Sequence, residues 1–106
     1  MKQAFSIEEV KQEIQQTGVT LLFIGSETCS VCHSLLPQVE KVSSKYPSLS
    51  SVRVKAEDAR EVAGEFSVLT VPVVLLFIEG KEVYRKARFV PIGELDGQIA
   101  KLISSV

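Results

Sequence analysis

The sequence predicts an α/β fold: a mixed central β-sheet covered by helices on both faces. Three observations carry this. Two short, continuous apolar runs, at residues 19–24 and 73–78, have the length and the β-branched and aromatic content of strands buried on both faces. Helix-period and strand-period segments alternate through the first half, which implies parallel strands joined by right-handed crossovers. A tight turn at Glu79-Gly80 then folds the second apolar run back along residues 82–87, adding an antiparallel C-terminal hairpin.

Ser6-Ile7-Glu8-Glu9 has the spacing of a capping box, in which Ser6 caps a helix and Glu9 reaches back. Ile7, Val10 and Ile14 follow at helical spacing, and Gly18 provides a stop. The first apolar run lies between Gly18 and Gly25. A second helix begins at or near Cys29, with Val31, Leu35, Val39 and Val42 as its inner stripe and Cys32 beside it. Pro37 falls inside that helix and should kink it, and Tyr46-Pro47 marks its end. Val52, Val54 and Ala56 alternate with Arg53 and Lys55, the pattern of a half-exposed strand near a sheet edge. Residues 57–66 read as a short helix. Pro91 suits the first turn of a last helix carrying Ile92, Leu95, Ile99, Leu102 and Ile103 on one face.

The chain has 106 residues with no repeat, linker or low-complexity tract, and residues 1–106 read as one domain. Twelve basic and thirteen acidic residues leave a net charge of −1 without a Lys/Arg cluster, so no nucleic-acid partner is expected. No apolar run approaches the ~20 residues that span a bilayer, and no membrane partner is expected. The N-terminus has no apolar stretch of the signal-peptide kind, which predicts a cytoplasmic protein. In a reducing compartment two cysteines three positions apart read as catalytic or metal-binding, not as a structural staple.

Those cysteines sit in Cys29-Ser30-Val31-Cys32, at a strand-to-helix junction. Unpaired N–H groups and the macrodipole at a helix start favour thiolate, so Cys29 should ionise below the free-thiol value. Residues three apart are helix neighbours, within reach of a disulfide. Cys29 can attack a substrate disulfide, and Cys32 can resolve the mixed disulfide. His33 completes a Cys-x-x-Cys-His haem-attachment spelling, but the chain has no other His and no Met beyond Met1 to serve as a second axial ligand. Structural zinc needs four ligands, and Cys29, Cys32 and His33 give three at most. An iron–sulfur cluster shared between two protomers is a further use of the motif. His33 is either an exposed helix residue or a cation that favours the thiolate.

On these residues the chain resembles the thioredoxin-like family. The resemblance runs through Leu21-Leu22-Phe23-Ile24, Glu27-Thr28 with the dithiol, and Pro37. It continues through the stretch from Val71-Pro72 to Phe77 and the Glu79-Gly80-Lys81 turn. It implies a thiol–disulfide oxidoreductase contributing to redox homeostasis, with no cofactor and no metal. Its partners would be disulfide-bearing proteins and a reductase or low-molecular-weight thiol. It also implies that Pro72 is cis beside the dithiol, and that Val71 offers its backbone to an extended substrate segment. Four positions depart from the family pattern. Thr28 replaces Trp, Ser30-Val31 replaces Gly-Pro, Phe23 replaces a buried Asp, and Arg88 replaces a Gly on the substrate-facing loop. These departures predict slower turnover and a less reducing dithiol, and they keep open a binding module on the same fold with little turnover.

Overall fold

A computed structural model describes residues 1–106. The chain runs β1 (Lys2–Ala4), α1 (Ile7–Ile14), β2 (Val19–Gly25), α2 (Ser30–Ser43), β3 (Ser50–Lys55), α3 (Glu61–Glu65), β4 (Val73–Ile78), β5 (Lys81–Ala87) and α4 (Ile92–Ser105). The five strands form one sheet in the order β1-β3-β2-β4-β5. Pairing is parallel from β1 to β3 and β3 to β2, and antiparallel from β2 to β4 and β4 to β5.

The alternating faces of β2 and β4 explain why both strands are apolar at nearly every position, Thr20 being the buried polar exception. Leu22, Ile24, Leu75 and Phe77 point to the layer holding Ile7, Val10 and Ile14 of α1 and Val62 of α3. Leu21, Phe23, Val74 and Leu76 point to the other layer, against Leu35 and Val39 of α2 and Leu95 and Ile99 of α4. Each fully buried Leu or Val of this kind contributes about 1.5–3 kcal/mol of transfer free energy, so the sheet is the principal source of cohesion.

Local chemistry sets the element ends. The Ser6 hydroxyl accepts from the Glu9 N–H at 3.2 Å, and the Glu9 carboxylate accepts from the Phe5 N–H at 3.0 Å. Glu79 and Gly80 both have left-handed φ values, 50° and 86°, which a two-residue hairpin turn of the matching twist requires. At the far end of α2, Lys45 and Tyr46 both donate to Asp96 of α4, and the Lys45 bond chiefly holds that carboxyl below its ordinary range.

Four expectations need correction. Strand β1 is absent from the sequence reading; three residues with only Ala4 buried carry too little pattern to register. Val31, expected on the inner stripe of α2, is instead 54% exposed at the helix tip. The helix expected over 57–66 contracts to Glu61–Glu65, since turns closed by Asp58 N–H to Lys55 O and Val62 N–H to Ala59 O occupy its first part. Finally, α2 ends at Ser43, three residues before Tyr46.

Candidate active site

Strand β2 ends at Gly25, and Ser26-Glu27-Thr28 carry the chain to Cys29, the N-cap of α2. The Cys29 N–H donates to Ser26 O at 3.3 Å, closing the turn. The Cys29 Sγ accepts from the Cys32 N–H at 3.2 Å, so the sulfur occupies the place a Ser or Asp oxygen takes in an ordinary cap. Cys29 and Cys32 are joined as a disulfide with Cα atoms 5.3 Å apart. Their surroundings differ. Cys29 is half-buried at the helix tip, whereas Cys32 is 4% exposed and packs into the α2/α4 layer.

The segment before Cys29 is pinned from the side. The Glu27 N–H donates to the Glu57 carboxylate at 2.8 Å, and that bond is the main reason Glu57 ionises below its ordinary range. Lys55 Nζ donates to the Glu27 carboxylate at 3.1 Å. His33 Nε2–H donates to the Glu27 carbonyl at 2.6 Å, with the Glu27 carboxylate 3.6 Å away. The imidazole is therefore turned toward Glu27.

A groove of about 350 Å³ lies over the dithiol. Cys29, Ser30 and Val31 form one bank, and Val71, Pro72 and Arg88 form the other. The Val71–Pro72 bond is cis. The N–H and C=O of Val71 make no hydrogen bond within the chain. The Pro72 carbonyl accepts from the Arg88 N–H at 2.7 Å. Arg85 holds the approach to this segment, donating to the carbonyls of Phe66 at 2.5 Å and Ser67 at 3.2 Å while paired with Glu82 at 2.9 Å.

Behind Cys32 lies a second cavity, of about 230 Å³, with Phe23 and Gly25 among its walls. A Cβ on Gly25 would stand 3.0 Å from the Phe23 ring and 3.4 Å from the Cys32 sulfur, so only glycine fits without displacing one of them. Glu27, His33, Arg53 and Lys55 contribute polar groups to this cavity. The sequence reading missed Arg53 and Lys55 here. The sheet register delivers them, setting Arg53 beside Phe23 and Lys55 beside Gly25. No group of three or more His, Cys, Asp or Glu side chains is placed to hold a metal ion. No helix is long and apolar enough to cross a membrane.

Known proteins match this arrangement. Residues 2–101 fit the thioredoxin family profile. The chain is 39% identical over 97 residues to the thioredoxin-like protein YdfQ of Bacillus subtilis, covering 92% of this chain and 87% of that one. It is 32% identical over 85 residues to the thioredoxin of Chlamydia trachomatis, covering 80% and 82% respectively. The solved thioredoxin of Plasmodium falciparum superposes with a TM-score of 0.86 at 21% identity, over 95% of this chain and 98% of that one. The match spans the sheet, the helices and the paired cysteines together, and the general chemistry is that of a thiol–disulfide oxidoreductase: the chain belongs to the thioredoxin family.

Proposed function

We propose that the chain is a cytoplasmic, single-domain oxidoreductase that reduces disulfides in protein substrates through Cys29 and Cys32, contributing to redox homeostasis. The observation that carries this is the unequal placement of the two sulfurs. Cys29 meets the groove at a helix N-terminus, and Cys32 waits buried one turn behind it.

The Cys29 thiolate attacks one sulfur of the substrate disulfide, forming a mixed disulfide and releasing the other substrate sulfur as a thiolate that takes a proton from solvent. Cys32 gives up its proton and attacks the Cys29 sulfur, forming the Cys29–Cys32 bond and releasing the second substrate thiol. Two electrons pass to the substrate. A reductase or a low-molecular-weight thiol returns them by the reverse sequence. The unpaired N–H and C=O of Val71 support docking of an extended substrate segment as an added strand, with Pro72 forming the groove wall beside Cys29.

Insulin reduction with dithiothreitol as electron source tests the reading. The protein should accelerate insulin precipitation, though more slowly than a Cys-Gly-Pro-Cys thioredoxin run alongside, because Phe23 puts no carboxylate beneath Cys32 to accept its proton. No acceleration would leave a binding module on the same fold.

The dithiol should also be less reducing than that control. Val31 carries a backbone N–H where the family's proline has none, adding a donor in the first turn of the helix that Cys29 caps. A better-stabilised thiolate favours the reduced form, by about 30 mV for each 1.4 kcal/mol. Equilibration against glutathione buffers measures the potential. A value equal to or below the control's would refute this poise.

A further inference from the structure

We propose that Arg88 selects substrates, favouring an extended protein segment that carries an acidic side chain next to the cysteine under attack. This rests on the reading of the groove as the substrate track, and it names the partner chemistry that track prefers.

Arg88 has φ 68°, one of three non-glycine residues in the left-handed region. Glycine adopts that conformation freely, whereas an arginine is held there against its preference. Glu79, another of the three, is accounted for by the hairpin turn. At Arg88 the backbone is fixed by its N–H bond to the Pro72 carbonyl, which sets the residue on the bank opposite Cys29.

The charge there is unspent. The other two cations between Tyr84 and Phe89 are paired, Arg85 with Glu82 and Lys86 with Glu94. The Arg88 guanidinium makes no ion pair, and no side-chain hydrogen bond involves it. It is the one charged side chain lining the groove, and no carboxylate lines it.

Apolar side chains in the lining, and next in sequence to the lining residues Thr70 and Arg88, are open to solvent. Leu69 is 99% exposed, Phe89 79% and Val31 54%. A substrate segment covering these side chains would exclude water from the groove, and an ion pair formed there would be screened less than one on an open surface. The free N–H and C=O of Val71 would fix that segment's register, so the same substrate position meets Arg88 each time.

The test uses three peptides, each with one internal disulfide, identical except for Glu, Gln or Lys beside the attacked cysteine. Fully reduced protein is mixed with each in single turnover and quenched in acid. Every rate constant is divided by the same peptide's rate with dithiothreitol, which removes intrinsic reactivity. The wild-type protein should prefer Glu over Lys by about ten-fold at low salt, with Gln between them, and the preference should shrink towards unity at high salt. Arg88→Gly, which relieves the left-handed backbone, should erase the preference, and Arg88→Glu should reverse it. Equal corrected rates for the three peptides, or a preference that survives in Arg88→Gly, would overturn the role of Arg88 alone. Failure of the wild-type protein to reduce any peptide would overturn the dithiol reading and this inference with it.

Discussion

Replacing Cys29 with serine removes disulfide exchange, lowering the rate of insulin reduction by on the order of 10³-fold or more, because a hydroxyl at that position supplies no nucleophile at neutral pH. Replacing Cys32 with serine has a different outcome. Cys29 can still attack, but nothing releases the product, so the variant should accumulate mixed disulfides with its targets. Non-reducing electrophoresis of Cys32→Ser mixed with oxidised insulin should show the covalent adduct, and the Cys29→Ser variant should show almost none. The same asymmetry should appear in alkylation of the reduced wild-type protein at neutral pH, with iodoacetamide labelling Cys29 first. Faster labelling of Cys32 would exchange the two roles, and it would conflict with a sulfur that is 4% exposed.

Leu75→Ala should cost about 3–4 kcal/mol of folding stability. Leu75 is fully buried in a central strand and stands directly across from Leu22, which is equally buried. Truncation leaves a cavity between α1 and the sheet that neither rigid strand can close. With overall stabilities of about 5–15 kcal/mol in domains of this kind, the loss is a large share of the total. The melting temperature should drop by more than about 10 °C. Val83→Ala, on the exposed edge strand β5, should stay within about 0.5 kcal/mol. Chemical denaturation of the two variants side by side measures the contrast. A Leu75→Ala loss below about 1 kcal/mol would mean that this layer repacks and that the core is looser than its burial implies.

The parts of the fold that were legible in the sequence are those whose signal is local. Residues 19–24 and 73–78 declare themselves as strands because both faces of each are covered, so every position but Thr20 is apolar. Ser6 and Glu9 declare a helix start because the capping bonds span only a few residues. The dithiol is legible for the same reason, being four consecutive residues at one junction. What escaped is non-local. Strand β1 has its partner about fifty residues away, at Val52 to Val54, and only that pairing makes Lys2-Gln3-Ala4 a strand. Arg53 and Lys55 reach the cavity behind Cys32 through register with β2, and a register has no signature in a linear pattern. Val71 and Pro72 were reached through the family resemblance, because one apolar residue before a proline says nothing by itself. The expected placement of β3 near a sheet edge holds, with only the three-residue β1 outside it. Arg53 and Lys55 are half-exposed there, and their polarity reflects that incomplete cover.

Phe23 bears on time as well as on rate. Its ring lies in the layer that buries Cys32, in the place where a proton-accepting carboxylate would hasten the second sulfur's attack. When capture is fast and release is slow, the captured complex becomes the most populated species on the path. On this reading the number of free molecules depends on how many partners are in hand at once, and partners in excess would saturate the protein at modest concentrations. Dwell time would then be the quantity that separates a chain without that carboxylate from one that has it. A slow-releasing molecule shields the cysteine it has seized from further oxidation for as long as the complex lasts.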